Sequence, residues 1–143
     1  MAWGFSQQYG VDYTETFVLT VQMVTLYTFF AIVVCEDLEY NHFDIKNAFT
    51  ESKISDDHQL YMEVPKGVQG VKKGHKLHIL HSLYGLKQSA RDWNRLMNAM
   101  LLEWGFTQSG ADPCLYVHTK RGIQLLVYVD DIAAAAKTTD QLD

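Results

Sequence analysis

Apolar residues run almost unbroken from Leu125 to Ala136, and only the adjacent acids Asp130 and Asp131 interrupt them. Leu125-Leu126-Val127-Tyr128-Val129 and Ile132-Ala133-Ala134-Ala135-Ala136 predict two strands that meet at the acids. An ionised carboxylate without a partner is expensive to bury, so a pair at this point calls for a cation or for a turn at the surface. Further upstream, Thr16 to Cys35 contains no charge and is long enough to cross a bilayer. Its polar residues point elsewhere: Leu19, Met23, Leu26, Phe30 and Val33 recur at steps of four and three, with Thr20, Gln22, Thr25 and Thr28 on the other half of a helical wheel. The pattern predicts an amphipathic helix ending near Asp37 and packed on a core, and no membrane span.

Between these segments the period changes. An extended stretch ends at His42-Phe43-Asp44-Ile45, and Lys46-Asn47-Ala48-Phe49 begins a short helical turn. Leu60 to Val64 alternates as a strand up to Pro65, Gly67, Gly70 and Gly74 mark a loop, and Leu77 to Leu80 returns as a strand. A second helix is predicted from an N-cap at Ser89, with Trp93, Leu96, Met97, Met100, Leu101 and Trp104 as its apolar stripe and Gly105 as its stop. Cys114 to His118 and Ile123 to Val129 form antiparallel strands around Lys120-Arg121-Gly122. Helices and antiparallel strands without a β-α-β alternation make an α+β domain with helices on one face of the sheet.

Composition adds bounds. At 143 residues, 48% hydrophobic and 20% charged, the chain suits one packed domain. Cys35 and Cys114 are far apart and form no C-x-x-C pair, so both read as buried thiols of an intracellular protein, and the start Met1-Ala2-Trp3-Gly4-Phe5 lacks the features of a signal peptide. The net charge of −5 is unevenly placed. Val64 to Leu96 holds Lys66, Lys72, Lys73, Lys76, Lys87, Arg91 and Arg95 against Asp92 alone, a net +6, which leaves −11 for the rest. A polyanion on one face and metal ions on another fit that division, but from charge alone a solvated lysine-rich loop is the more ordinary reading.

For chemistry, Asp44 resembles the acid pair: it ends an apolar-flanked strand and precedes a turn. If its strand neighbours the one leading to Asp130 and Asp131, three hard oxygen donors converge as magnesium requires. No phosphate-binding G-x-x-x-x-G-K-[ST], H-E-x-x-H or G-x-S-x-G motif is present, and His75, His78 and His81 lack cysteines at zinc spacing.

Six segments together carry a family likeness. Gly10-Val11-Asp12-Tyr13-Thr14-Glu15-Thr16-Phe17, Phe43-Asp44-Ile45-Lys46-Asn47-Ala48-Phe49, Leu60-Tyr61-Met62-Glu63-Val64-Pro65, Ser82-Leu83-Tyr84-Gly85-Leu86-Lys87-Gln88-Ser89, Gly105-Phe106 with Ala111-Asp112-Pro113, and Tyr128-Val129-Asp130-Asp131 follow in order across nearly the whole chain. The chain resembles the copia-type reverse transcriptases of LTR retrotransposons. The resemblance implies polymerase fingers and palm, an antiparallel sheet backed by helices, with the rest of the palm, the thumb and the RNase H domain outside residues 1–143. It implies RNA-directed DNA polymerisation with Asp44, Asp130 and Asp131 as catalytic ligands of two Mg2+ ions, Mn2+ being an alternative. Ile45, Ala48, Phe49, Tyr84, Gly85 and Gln88 would meet the nucleotide, Phe49 as a steric gate against a ribose 2′-hydroxyl. Lys87, Ser89 and Arg91 would meet nucleic acid. The implied partners are a template-primer duplex, deoxynucleoside triphosphates and the remainder of a Pol polyprotein, in a cytoplasmic virus-like particle or the nucleus.

Departures from the family pattern keep a second reading open. The family's Lys-Ala-Arg-Leu-Val-Ala before Gly-Phe is Met1-Ala2-Trp3 here, its Phe-Leu-Asn-Gly is Phe49-Thr50-Glu51-Ser52, and its Ser-Pro-Arg-Ala-Trp is Ser89-Ala90-Arg91-Asp92-Trp93. An inactive retroelement remnant that keeps the fold and weak nucleic-acid binding is therefore the alternative to a polymerase segment.

Overall fold

The computed structural model describes residues 4–16, 18–54, 59–72 and 74–142. Met1-Ala2-Trp3, Phe17 and Lys73, on which parts of the sequence reading fall, lie outside the described residues. The chain divides into two compact units, Met1–Phe17 with Asn47–Trp93, and Val18–Lys46 with Asn94–Asp143.

The second of these, the sheet unit, contains a five-stranded antiparallel sheet whose strands run from one edge to the other as residues 39–44, 131–136, 123–128, 115–118 and 107–108. Its strands are β1 (Glu39–Asp44), β4 (Thr107–Gln108), β5 (Leu115–His118), β6 (Ile123–Tyr128) and β7 (Asp131–Ala136). The α+β class and the hairpin at Asp130-Asp131 are as expected from the sequence. Leu125, Leu126 and Val127 are buried in succession on β6, which requires cover on both sheet faces there. Helix α1 (Met23–Cys35) supplies one cover: Phe29 packs with Leu126, Ala135 and Cys114, supported by Leu26, Val33, Leu19 and Val21. On α3 (Ser89–Glu103), Asn98 accepts a hydrogen bond from the Tyr116 hydroxyl at 3.0 Å, and Tyr116 alternates along β5 with Leu115 of the α1 cluster.

Helix α1 departs from its prediction. It starts at Met23, seven residues later than the uncharged stretch, with Leu19 and Val21 packing from the segment before it. Met23 and Phe30, expected in the core, are 58% and 39% exposed, while Phe29 is the buried aromatic. The helix is apolar nearly all round, so periodicity did not determine its rotation. Cys35, expected to be buried, is exposed at its end. No helix among the described residues is long and apolar enough to cross a membrane.

In α3 the stripe of Trp93, Met97 and Leu101 is buried, whereas Trp104 stands 59% exposed past the last turn. The helix stops because Gly105 takes φ +89°, and the Gly105 and Phe106 N–H groups donate to Leu102 and Leu101 carbonyls, the pattern of a Schellman cap. Ser89 is the first helical residue instead of the N-cap, and its hydroxyl donates back to the Leu83 carbonyl at 2.7 Å.

The other unit is built on a two-stranded hairpin, β2 (Leu60–Glu63) with β3 (Lys76–Ile79), and a single helical turn, α2 (Ala48–Glu51). Ile54, Leu60 and Ile79 form its buried cluster, with Met62, Leu83 and Leu86 against it. The segment after α2 is tied in by main-chain bonds from Ile54 N–H to the Leu80 carbonyl and from Ser82 N–H to the Ser52 carbonyl.

Candidate active site

β1 pairs with β7 in a register that sets Asp44 opposite Asp131. The Ile45 N–H donates to the Asp130 carbonyl at 2.9 Å, so Ile45 and Asp130 are the hydrogen-bonded pair. Asp44 and Asp131 therefore occupy the adjoining non-hydrogen-bonded position, where opposed Cα atoms approach to about 4.5 Å and the side chains share a face. Like charges directly opposed across two strands destabilise the pair. His42, two residues before Asp44 and on the same face, places Nε2 3.2 Å from Asp131 Oδ1.

The turn itself is two residues, Val129 and Asp130, between β6 and β7. Val129 has φ +59°, a conformation that a β-branched residue adopts only under constraint from its surroundings. Packed strands on both sides and the Ile45–Asp130 bond supply that constraint. All three expected metal carboxylates thus fall at one corner of the sheet. Their side chains are not gathered, however: among the described residues, no group of three or more His, Cys, Asp or Glu is arranged to hold a metal ion. The sequence-based convergence of three donors is realised by backbone register and not by side-chain placement, with Asp131 turned to His42.

In the hairpin unit, the Phe49 ring lies 4.6 Å from that of Tyr84, tilted by 44°. Asn47, in the left-handed region at φ +58°, opens the turn that delivers Phe49, and Ala48 beside it is completely buried. Of the loop residues expected at nucleotide or nucleic acid, Tyr84, Gly85 and Lys87 are exposed. Gln88, Ser89 and Arg91 are buried and bonded within the chain. Gln88 donates to the Asp12 carbonyl at 3.3 Å, and the Arg91 guanidinium donates twice to Asp92 Oδ1, at 2.9 and 2.6 Å. Lys66, Lys72, Lys76 and Arg95 are exposed and present the basic character of this segment to solvent, while Arg91 is turned inward.

Three organising residues, Gln7, Gly4 and Asp112, have no role assigned from the sequence pattern. Gln7 accepts from the Lys87 N–H at 2.8 Å and donates to Gln88 Oε1 at 3.0 Å, clasping the loop that carries Tyr84. Gly4 sits so close to this loop that a Cβ would come within 1.8 Å of the Gly85 carbonyl oxygen. Asp112, which follows Ala111 and precedes Pro113, is 1% exposed. Its carboxylate accepts from the Cys114 N–H at 2.9 Å and from the N–H of Gln22, the N-cap residue of α1, at 3.0 Å. Burial pushes the Asp112 carboxyl up, but bonds from the Thr25 hydroxyl, these two N–H groups and the Cys114 thiol outweigh it and hold the group below the usual carboxylate range. Thr25, assigned above to the outer half of the helix, therefore faces a buried anion. The available signal was the Asp-Pro dipeptide, which marks a turn in which Asp bonds the backbone two residues on.

The whole chain, residues 1–143, matches the model of the family described as reverse transcriptase (RNA-dependent DNA polymerase). It is 33% identical over 138 residues to the Retrovirus-related Pol polyprotein from transposon TNT 1-94 of Nicotiana tabacum, covering 94% of this chain and 10% of the relative. It is 33% identical to the corresponding polyprotein from transposon RE1 of Arabidopsis thaliana, covering 92% and 9%, and 32% identical to that from transposon RE2, covering 97% and 10%. The chain thus spans about a tenth of the length of these relatives. No solved structure gives a significant match. With a family model matched along its full length and polyprotein relatives covering nearly all of it, the chain belongs to the copia-type branch of the reverse transcriptases.

Proposed function

We infer that the chain is the part of an RNA-directed DNA polymerase that carries its catalytic carboxylates, with Asp44, Asp130 and Asp131 as ligands of two Mg2+ ions. The observation that carries this reading is the cross-strand opposition of Asp44 and Asp131 beside Asp130 in the turn. The donor set fits the ion: carboxylate oxygens are the hard ligands Mg2+ takes, and a cation relieves the repulsion of the opposed pair. When bound, such ions align an attacking hydroxyl with a leaving pyrophosphate and neutralise the charge between them. The chain's own contribution is positioning. The Ile45–Asp130 main-chain bond fixes the turn against β1, and the Phe49 ring, held against Tyr84, is the group to exclude a ribose 2′-hydroxyl. Exposed Lys87 offers a cation to template or primer phosphate. Template-primer duplex, deoxynucleoside triphosphates and the rest of a Pol polyprotein are the partners of this reading, which places the chain inside the cell. Ile45, Ala48, Gly85 and Gln88 complete the proposed nucleotide contacts, and Ser89 and Arg91 the proposed nucleic-acid contacts.

The test is primer extension by a full-length copia-type reverse transcriptase carrying this segment. Asp44→Asn and Asp130→Asn are each expected to lower incorporation by about a hundredfold or more, since metal-borne charge stabilisation is worth several kcal/mol. Unchanged extension by Asp130→Asn removes the metal assignment. The internal bonding of Gln88, Ser89 and Arg91 favours a second reading, a silent domain that keeps fold and nucleic-acid affinity. No incorporation by that full-length enzyme carrying the wild-type segment, with salt-dependent duplex binding retained, establishes it.

A further inference from the structure

We propose that the outward face of the β2–β3 hairpin binds single-stranded nucleic acid, its unpaired bases stacking on Tyr61 and His78 while hairpin lysines take the phosphates. Strand alternation divides the hairpin into two faces. Leu60 and Ile79 are buried in the unit's apolar cluster with Met62 against them, so Tyr61, Glu63, Lys76 and His78, all exposed, face outward. Tyr61 and His78 are directly opposed in the register, and their rings stack with centroids 5.0 Å apart and planes inclined by 25°. The Tyr61 hydroxyl donates to Gln59 Oε1 at 3.2 Å, which holds the ring from its other end. Tyr61 nevertheless remains 55% exposed, and Leu80, two residues beyond His78, is 64% exposed. Rings already fixed in place lose little freedom when a base settles on them, and every base has a π-face to offer.

Charge selects the occupant. From Leu60 to Ile79 the sequence holds Lys66, Lys72, Lys73 and Lys76 against Glu63 alone, a net +3. A hollow of about 390 Å³ lies at the loop end of the hairpin, with Lys72, His75, Lys76 and Glu63 in its lining. Lys76 and Glu63 face each other in the register, two residues from His78 and Tyr61 on the same outward face, about 7 Å along the strands. The aromatic pair therefore leads directly into a cationic hollow, and one strand can place a base on the first and a phosphate in the second. Glu63 opposes a phosphate there and is outnumbered by Lys72 and Lys76. An exposed ring pair beside lysines is the combination by which single strands are held without sequence preference. A cross-strand ring pair also stabilises a hairpin by itself, and the two roles differ in whether the bases of a ligand matter.

The experiment follows binding of the chain to a fluorescein-labelled short oligothymidylate, and to an abasic sugar-phosphate strand of equal length, by fluorescence anisotropy in chelator. With no divalent ion present, the outcome does not depend on Asp44, Asp130 and Asp131 as metal ligands. Wild type is expected to bind the thymidylate strand more tightly than the abasic one. Tyr61→Ala is expected to weaken thymidylate binding by about tenfold and to leave abasic binding unchanged, while Tyr61→Phe keeps wild-type affinity for both. His78→Ala is expected to act in the same direction as Tyr61→Ala. Lys72→Ala combined with Lys76→Ala should instead weaken both strands and lower the slope of log affinity against log salt by about 1.4, as for two phosphate contacts on a single strand. Circular dichroism verifies folding, and Tyr61→Val, which keeps a strand-forming side chain without the ring, is read in the same way as Tyr61→Ala. Equal losses on the two strands by Tyr61→Ala and Tyr61→Val make the ring pair a structural part of the hairpin and overturn the proposal. Equal wild-type affinity for the two strands, or no binding of either, also overturns it. So does self-association of the chain that depends on Tyr61, seen by sedimentation, without a preference for bases.

Discussion

Asp112 shows how a single buried charge can organise a fold. Its carboxylate joins the turn before β5 to the first residues of α1, where unpaired N–H groups and the helix dipole favour an anion. Replacing it by Asn turns an acceptor into a donor facing N–H groups, and the expected cost is about 2–3 kcal/mol at neutral pH, measured by denaturant unfolding. The pH dependence has a definite sign. Because the folded group lies below the usual carboxylate range, its stabilisation is complete above the unfolded value near 4 and is lost as pH falls through the folded value. The stability gap between wild type and Asp112→Asn should accordingly be constant from pH 5 to 7, within about the precision of such measurements, and narrow below about pH 4. The neighbouring Cys114 thiol is pushed up to about 12 by burial and by Asp112. Native protein at pH 8 should therefore release one equivalent of thiol to a disulfide reagent, from exposed Cys35, and a second only after unfolding.

At the scale of elements, α1 and the hairpin show where sequence pattern is informative and where it is ambiguous. Helix existence followed from the uncharged run with its helical spacing, but a segment apolar on every side has no polar face to fix its rotation. The structure chooses Phe29, Leu26 and Val33 for the core and leaves Val34 79% exposed. Phe29→Ala should cost about 3–5 kcal/mol, as for other buried aromatics. Val34→Lys should stay within about 0.5 kcal/mol, and comparable losses at the two positions would refute this rotation. The β6–β7 hairpin was legible because a dense apolar run broken by two polar residues has few other folds. What the run did not reveal was backbone strain at Val129, where a glycine would be the ordinary choice. Gln7 and Thr25 were illegible for a related reason: their roles depend on partners about 80 residues away or on a helix rotation that no local pattern encodes.

Across the whole molecule, charge follows the division into units. Met1–Phe17 with Asn47–Trp93 holds seven basic and seven acidic residues, whereas the sheet unit holds five basic and ten acidic and so carries the entire net charge of −5. The basic stretch that stood out along the sequence is thus balanced once acids from elsewhere in its unit are counted, and its accessible cations include Lys66, Lys72, Lys76 and Lys87. The sheet unit would repel a phosphate backbone unless cations screen its carboxylates. On the proposed reading, Asp44 opposes duplex binding when no divalent ion is present and supports it through the ion when one is. Asp44→Asn should therefore tighten binding of a primer-template duplex in chelator by about fivefold, the roughly 1 kcal/mol expected between exposed unit charges in contact. In millimolar Mg2+ the order should reverse, with wild type the tighter binder. Lys87→Ala, by contrast, should weaken binding with and without Mg2+ and reduce the slope of log affinity against log salt by about one, as for loss of a single phosphate contact. A reversal at Asp44 without one at Lys87 separates a metal-mediated contact from simple charge attraction; parallel behaviour of the two variants would leave Asp44 as an ordinary surface acid.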